Sequence, residues 1–329
     1  MKKIRFAVVG TNFITKRFLE AAYLLNQFEF AAVYSRDLNR GRAFIHDLES
    51  VRVFDCFDDL VNSKDIDAVY IASPTYCHAS QSILLIENGK HVLCEKPIAS
   101  NLFEWKNMIH VANENKKIIL EAMRPLFTPA YQIIKENLIK IGPIRKVNFN
   151  FCQYSSRYDN FKAGIIENAF KPELSNGALM DIGVYCVAVL VSLFGKPINI
   201  SANGYILPKS IDAMGNIIAL YNGMEANLVY SKITNSELPC EIQGEKGTLY
   251  FEQIVSPKHM RIKYNDGHVE MLPEAVYLPY DMVYAIEAFT NMINGKSIQD
   301  EYNRITTNSM EVIDEARKQI GIIYPADLL

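Results

Sequence analysis

Cysteine is scarce and unpatterned in this sequence. The 329 residues include six cysteines, at positions 56, 77, 94, 152, 186 and 240, and none forms a Cys-x-x-Cys pair. A chain of this length does not need disulfides to complete a core, and the spacing suits neither a disulfide framework nor a zinc site. The pattern indicates a reducing compartment and predicts no metal site.

The sequence also lacks an excess of charge and a long apolar run. Its 34 Lys and Arg against 37 Asp and Glu leave a net charge of −3, which disfavours nucleic acid and acidic membranes as partners. The apolar run at 6–9 is too short for a signal peptide, and the run at 184–194 falls short of the roughly 20 residues of a membrane span. We therefore expect a soluble, cytoplasmic protein with no membrane association.

The first 122 residues alternate between short apolar segments and segments of helical periodicity. The strand candidates are 4–9, 28–34, 67–72, 90–94 and 117–120, and the helix candidates are 13–25, 38–48, 76–88 and 102–115. Strands that alternate with helices of this length indicate βαβ units and a doubly wound parallel sheet. We expect a dinucleotide-binding domain over 1–122.

The pattern changes after residue 122. Further strand candidates are 144–154, 217–221, 226–230, 240–243 and 248–251, and helix candidates are 129–138, 177–194, 280–294 and 304–321. Closely spaced strands with turn residues between them predict a large, mostly antiparallel open sheet. This predicts a second α/β domain over 123–329, for substrate binding and dimerisation.

The first strand and the first helix are joined by a loop that starts with Gly10. A dinucleotide-binding loop reads G-x-G-x-x-G, but here Asn12 and Thr15 replace the second and third glycines. Asparagine tolerates a left-handed backbone, so the turn can persist, although its side chain would crowd a pyrophosphate. With the helix start at Phe13 and Ile14, Gly10 and Asn12 form a candidate phosphate site. The alternative is a capped helix after a buried strand.

Polar residues follow the second strand, where a dinucleotide fold contacts the adenosine ribose. Ser35 takes the strand end, where NAD sites usually have an acid, and Arg36 and Arg40 follow. Asp37 is better placed to cap the next helix. We therefore favour a site for the 2′-phosphate of NADP over a merely solvated helix start.

Two further segments carry groups suited to catalysis. Lys96 follows the strand candidate 90–94, at the sheet edge where open α/β sheets bind ligands, although a lysine before proline is also common on surfaces. Asp181 and Tyr185 are four residues apart and share one helix face. A tyrosine hydroxyl can protonate a developing alkoxide if a nearby cation such as Lys96 lowers its pKa. The alternative is a buried tyrosine whose hydroxyl bonds to Asp181.

The order of these motifs identifies a resemblance. The segments 10–15, 73–78, 89–97 and 177–185 together resemble the Gfo/Idh/MocA oxidoreductase family, and Gly-Lys-His-Val-Leu-Cys-Glu-Lys-Pro at 89–97 is the most specific of them. The resemblance covers essentially the whole chain. It implies a Rossmann domain followed by an α/β domain with a large open sheet that often mediates dimers. It also implies NAD or NADP as cofactor and sugars, polyols or related carbonyls as substrates.

The resemblance also implies roles for individual residues. Lys96 would contact the substrate and the nicotinamide ribose, Asp181 would orient the substrate, and Tyr185 would be the acid/base. Many members of the family have histidine at that position. The tyrosine in this sequence resembles the dihydrodiol dehydrogenase and glucose–fructose oxidoreductase branches, which also use tyrosine there and favour NADP. Other residues implied to line the cofactor are Ser73, Pro74, Thr75, His78 and Glu95, and implied pocket residues are Arg124, Arg157 and Tyr158. The sequence departs from the family at 175–176, where Ser-Asn replaces two glycines.

These observations predict an enzyme that transfers a hydride between NADP(H) and a secondary alcohol or carbonyl, with NAD as the alternative cofactor. The substrate would be a sugar, a polyol or a dihydrodiol-like compound. We also expect a homodimer that forms through the C-terminal sheet. The rival interpretations are a non-catalytic NADP(H)-binding sensor or assembly module, and a structural homo-oligomer without cofactor.

Overall fold

The computed structural model describes residues 3–46, 48 and 50–328, and the chain divides into two compact units. The first consists of Met1–Ala122 and Leu278–Arg304, and the second of Met123–Tyr277 and Ile305–Leu329. The change of pattern after residue 122 coincides with the first boundary. Residues 278–304 lie in the first unit, whereas the sequence assigned them to a second domain over 123–329.

The first unit contains a parallel sheet. Its elements up to residue 122 are β1 (Ile4–Val9), α1 (Phe13–Tyr23), β2 (Phe28–Tyr34), α2 (Leu38–Ile45), β3 (Arg52–Phe54), α3 (Phe57–Asn62), β4 (Ala68–Ile71), α4 (His78–Glu87), β5 (His91–Cys94), α5 (Leu102–Glu114) and β6 (Ile119–Glu121). Over the described residues the sheet has six strands in the order β3-β2-β1-β4-β5-β6. All four residues of β4 are buried, as expected of a parallel strand covered on both faces. The predicted Rossmann sheet is confirmed, and the sequence missed only the short β3 and α3.

The second unit is built on a larger sheet. Its elements up to residue 271 are α6 (Pro129–Asn137), β7 (Ile144–Cys152), α7 (Ser156–Lys162), α8 (Val184–Phe194), β8 (Asn199–Leu207), β9 (Ile211–Tyr221), β10 (Met224–Ser231), β11 (Cys240–Gly244), β12 (Gly247–Glu252), β13 (Lys258–Tyr264) and β14 (Val269–Met271). In the part of the chain that the structure describes, eight strands run in the order β14-β13-β12-β11-β7-β10-β9-β8. β7 and β10 pair in parallel and the other neighbours antiparallel. The expected mostly antiparallel sheet is confirmed.

Two helices complete the chain, α9 (Met282–Ile293) and α10 (Asp300–Ile320). The segment that carries α9 is bound to the parallel sheet's unit by polar contacts. Arg17 of α1 pairs with Asp281 at 3.5 Å, and the backbone N–H of Ile119 donates to Gln299 at 3.0 Å. These contacts explain why 278–304 belongs with the first unit.

The apolar stretch before β8 is not a regular helix. Leu179–Gly183 is π-helical and α8 continues from it, whereas the sequence predicted one uniform helix over 177–194. The stretch Pro172–Phe194 is long and apolar enough to cross a bilayer by length and composition, but 78% of its most apolar window is buried within the protein. Such burial is typical of a core helix, whose apolar faces are covered by the surrounding fold.

Candidate active site

The loop after β1 makes its turn at Gly10. Gly10 has a φ of +105°, and a Cβ there would lie 3.0 Å from the carbonyl oxygen of Ala72. Asn12 donates from its side chain to the same oxygen at 3.0 Å and accepts from the N–H of Thr15 at 3.1 Å. Its φ is −85°, so the expectation of a left-handed Asn12 is wrong, because Gly10 alone supplies the positive φ.

This geometry suits a pyrophosphate at the start of α1. The side-chain amide of Asn12 donates one hydrogen bond to the backbone and accepts another from it, so it fixes the conformation of the loop. An α-helix leaves its first backbone N–H groups without intrahelical acceptors. Because Asn12 accepts from Thr15, the N–H groups of Phe13 and Ile14 are the ones placed to receive a phosphate.

A serine, an arginine and an aspartate follow β2 in the chain. Ser35 is buried, and its hydroxyl accepts from the N–H of Asp37 at 3.3 Å. The Asp37 carboxylate accepts from the backbone N–H groups of Asn39 and Arg40, so it caps α2 as the sequence suggested. Arg36 and Arg40 are exposed. Because the Asp37 carboxylate is engaged in capping α2, the groups at this strand end that suit a 2′-phosphate are the exposed guanidinium groups of Arg36 and Arg40.

His78 joins the loops that follow β4 and β5. Its ring is buried, with Nδ1 2.9 Å from the carbonyl oxygen of Pro97 and Nε2 2.9 Å from that of Ser73. Burial lowers the pKa of this imidazole. The hydroxyl of Ser73 donates to Gln81 at 2.6 Å, and Thr75 is buried beside the same loop. His78 is therefore buried between the two loops, and its neutral ring can donate a hydrogen bond to one of the two carbonyls.

Glu95 and Lys96 are fixed by a residue that the sequence analysis did not single out. The buried Tyr70 donates from its hydroxyl to Glu95 at 2.6 Å, and its ring stacks on Phe18 with centroids 3.8 Å apart. The other oxygen of Glu95 accepts from the backbone N–H of Lys96 at 3.2 Å, and the Lys96–Pro97 peptide bond is cis. Tyr70 lies within an apolar strand. The one feature of the sequence that indicated a hydrogen-bond partner was its hydroxyl, because a buried tyrosine hydroxyl usually needs one.

In the second unit, Tyr185 lies in the first turn of α8 and is 4% exposed. A guanidinium N–H of Arg124 donates to its hydroxyl at 3.4 Å, and its ring lies 5.7 Å from that of Phe151. Two residues predicted separately, Arg124 and Tyr185, are therefore in contact. The result is a phenol with a cation beside it.

Asp181 lies one turn earlier and contacts a buried lysine. The ammonium of Lys232 is 2.8 Å from the Asp181 carboxylate, donates to the carbonyl of Ala169 at 3.0 Å and lies 4.9 Å from the centre of the Phe170 ring. Lys232 is only 3% exposed. The sequence analysis missed it, although a lysine two residues after the strand candidate 226–230 is a weak signal.

A buried acid caps the segment that carries Asp181. Asp212 is fully buried and accepts from the backbone N–H of Leu179 at 2.6 Å, while no donor among the described residues reaches its Oδ1. Burial raises its pKa to about 6, against the opposing effects of the Leu179 N–H and Lys232. A Cβ on Gly177 would lie 1.8 Å from Oδ1, so this position requires glycine.

The departure at 175–176 is accommodated locally. Ser175 is buried with a left-handed φ of +56°. The Asn176 side chain donates to the carbonyl of Asn168 at 3.0 Å, and its own carbonyl accepts from the Tyr324 hydroxyl at 3.1 Å. The segment before Gly177 is therefore held from two sides without the glycines.

The remaining predicted pocket residues lie on α7. Arg157 is exposed and pairs with Glu167 at 3.4 Å. Tyr158 stacks on Phe170, the ring beneath Lys232, with centroids 6.1 Å apart. Tyr158 is thus linked to Asp181 through two intermediate residues, Phe170 and Lys232, whereas the observed partner of Arg157 is a surface carboxylate.

Metal-binding groups do not cluster in the described part of the chain. Within residues 3–46, 48 and 50–328, no three His, Cys, Asp or Glu side chains lie close enough together to hold a metal ion. The six cysteines are free thiols, of which Cys56 is exposed.

Both halves of the chain match one protein family. Residues 4–123 match the Gfo/Idh/MocA oxidoreductase family with its NAD-binding Rossmann fold, and residues 130–250 match the Gfo/Idh/MocA C-terminal domain. The chain belongs to this family and is an NAD(P)-dependent oxidoreductase.

Particular relatives narrow the comparison. The chain is 45% identical over 326 residues to scyllo-inositol 2-dehydrogenase (NADP(+)) IolU of Bacillus subtilis, covering 98% of this chain and 99% of that protein. It is 26% identical over 349 residues to trans-1,2-dihydrobenzene-1,2-diol dehydrogenase of Mus musculus, covering 98% and 99%. KijD10, a 3-ketoreductase from Actinomadura kijaniata solved with NADP and TDP-benzene, has the same fold, with a TM-score of 0.87 at 23% identity over 98% and 99% of the chains.

Proposed function

We propose that the protein is an NADP-dependent dehydrogenase that interconverts a secondary alcohol of a cyclic polyol and the corresponding ketone. The observation that carries this proposal is the 45% identity, over both units, to a scyllo-inositol 2-dehydrogenase that uses NADP(+). Sugars and dihydrodiol-like alcohols present the same vicinal CH–OH groups and form the wider substrate class.

The first unit offers residues suited to hold the cofactor. Gly10 lets the backbone approach closely, Asn12 holds the loop, and the start of α1 at Phe13 and Ile14 faces the phosphates in this proposal. When bound, NADP(H) supplies or accepts the hydride. The remaining residues proposed to contact it are Ser35, Arg36, Arg40, Ser73, Pro74, Thr75, Glu95 and Lys96, together with His78, which is buried between two of their loops.

The second unit offers the groups for proton transfer and substrate orientation. During oxidation the substrate hydroxyl passes its proton to the Tyr185 oxygen, and during reduction Tyr185 returns it. Arg124, which donates to that oxygen, is the cation that stabilises negative charge there. Asp181 accepts a hydrogen bond from a neighbouring substrate hydroxyl.

The test is a comparison of initial rates with NADP⁺ and NAD⁺ on scyllo-inositol, myo-inositol, glucose and a trans-dihydrodiol. We expect turnover of a cyclic polyol, with kcat/KM about 10- to 100-fold higher for NADP⁺, because charged hydrogen bonds to the 2′-phosphate are lost with NAD⁺. Tyr185→Phe should lower kcat by roughly 10²- to 10⁴-fold and leave NADPH binding unchanged.

Tyr221→Phe is the matched control, because the Tyr221 hydroxyl donates to the Gly195 carbonyl at the far end of α8. Its kinetics should equal those of the wild type. NADPH binding without turnover of any alcohol or carbonyl would contradict the proposal and favour the non-catalytic sensor. Full activity of Tyr185→Phe would overturn the acid/base assignment alone.

We further propose that the enzyme is a cytoplasmic homodimer that pairs through the open face of the large sheet. Alternate residues of β9 and β10 are buried, while Ile218, Leu220 and Val229 between them remain half-buried or exposed. Free thiols are compatible with a reducing compartment.

A further inference from the structure

Lys232 stands out among the lysines of the second unit because its side chain is buried. It directly follows β10, its N–H donates to the Ala213 carbonyl at 2.8 Å, and its carbonyl accepts from the Ser155 N–H at 2.8 Å. The backbone is therefore fixed on both sides. With 3% exposure, the ammonium has exchanged water for protein partners.

The partners of the ammonium belong to two different segments. It bonds to Asp181 at 2.8 Å and to the carbonyl of Ala169 at 3.0 Å, and it lies 4.9 Å from the centre of the Phe170 ring. Two hydrogen bonds and a cation–π contact determine where the ammonium lies. Because the Asp181 side chain remains 33% exposed, the pair presents a carboxylate with one fixed side and one accessible side.

A second buried charge supports the same segment. Asp212 bonds to the N–H of Leu179, two residues before Asp181, and the charge of Lys232 acts on it. The ammonium is thus balanced by two carboxylates, one that bonds to the backbone of the π-helical segment and one that the segment itself carries. A buried cation with such partners resists displacement, because moving it would leave charges unpaired.

We propose that Lys232 is a positioning residue, which holds the Asp181 carboxylate as a hydrogen-bond acceptor for a substrate hydroxyl next to the reacting carbon. The proposal rests on the proposed function, in which Asp181 orients the substrate. It narrows the substrate class to alcohols with a vicinal hydroxyl, because a carboxylate held in one position binds best a substrate whose hydroxyl donor lies at the matching position. Lys232 itself touches neither substrate nor cofactor in this role.

The test is a kinetic double-mutant cycle on the full-length enzyme with saturating NADP⁺ and scyllo-inositol or its best polyol. Lys232→Met should lower kcat/KM for the polyol about 10- to 100-fold, the range of a charged hydrogen bond, and leave KM for NADP⁺ unchanged. Asp181→Asn should lower it at least as much. The double variant should be no worse than Asp181→Asn, because both changes remove one interaction.

Lys90→Met is the matched control. Lys90 is also buried, at 2% exposure, but its ammonium donates to the carbonyls of Val61 and Asn88 in the first unit. Its loss should reduce thermal stability and leave the polyol kcat/KM unchanged. This separates the loss of any buried lysine from the loss of the one that contacts Asp181.

Additive losses in the cycle, or wild-type kinetics for Lys232→Met, would overturn the positioning role. If Lys232→Met does not fold, Lys232→Met/Asp212→Asn removes both buried charges together and should show the same kinetic loss. A wild-type enzyme that turns over no alcohol or carbonyl would overturn the proposed function and this role with it. Wild-type turnover with an additive cycle would overturn the role alone.

Discussion

At the residue scale, buried charges determine much of the candidate site. Asp212, Lys232 and Asp181 form a chain of charges in the second unit, and the first two are almost completely removed from water. Burial of a charge costs free energy that partners only partly return. The ionisation of the buried Asp212 should therefore have a measurable effect on the free energy of unfolding.

Asp212→Asn should change how stability depends on pH. The pKa of Asp212 is raised by burial from 3.8 to about 6, so between these values the folded protein holds a proton that the unfolded chain has released. Its contribution to the free energy of unfolding therefore falls as pH rises from about 4 to about 6, by about 2 kcal/mol. Urea unfolding of both proteins at pH 4.5 and 7.5 measures this. Relative to Asp212→Asn, the wild type should lose stability at the higher pH, and a pH-independent difference would contradict the burial argument.

At the element scale, the start of α1 combines a helix cap with a ligand loop. Asn12 occupies the position of a family glycine, yet it accepts from Thr15 and donates to Ala72. Sequence alone could suggest either a cap or a crowded phosphate site. In the structure the side chain of Asn12 is engaged in hydrogen bonds to the backbone, so capping the helix and binding a phosphate at its start are compatible.

Asn12→Ala should therefore weaken both stability and NADPH binding. Loss of the cap should cost about 1–2 kcal/mol in unfolding free energy, and the loosened loop should raise the Kd for NADPH about tenfold. Thr128→Ala is the control, because Thr128 caps α6 in the second unit by accepting from Tyr131. It should lose similar stability without a change in Kd, measured by nicotinamide fluorescence. Unchanged NADPH affinity in Asn12→Ala would show that Asn12 caps the helix but has no role in binding the cofactor.

At the scale of the whole molecule, the chain passes from one unit to the other more than once, with boundaries after residues 122, 277 and 304. Residues 278–304 rejoin the unit of the parallel sheet through Asp281 and Gln299. Neither residue carries a signal in the sequence that identifies its partner. An amphipathic helix specifies that it will be buried but not against which surface.

The proposed homodimer should depend on the open sheet face. Ile218→Glu places a charge in the middle of β9, opposite Asn227 of β10, and should convert the dimer to a monomer because an interface core excludes unpaired charge. Leu238→Glu, at a residue 75% exposed outside the strands, should leave the dimer intact. Light scattering of the purified proteins measures the mass. A wild-type monomer, or a dimeric Ile218→Glu variant, would contradict this assembly.

The sequence by itself determined the features that arise from local periodicity and motif order. These are the parallel sheet of 1–122, the mostly antiparallel sheet that follows, and the placing of Gly10, Lys96, Asp181 and Tyr185 at strand or helix ends. Local patterns suffice because strands and helices bury their apolar faces at fixed periods.

Only the tertiary structure decided which side chains contact each other across elements. Tyr70 on Glu95, Arg124 on Tyr185 and Lys232 on Asp181 all join residues at least 25 positions apart. The π-helical turn before α8 likewise begins at Leu179, whose N–H donates to the distant Asp212. The physical reason is that burial and pairing of polar groups depend on the register of distant segments, which no local spacing encodes.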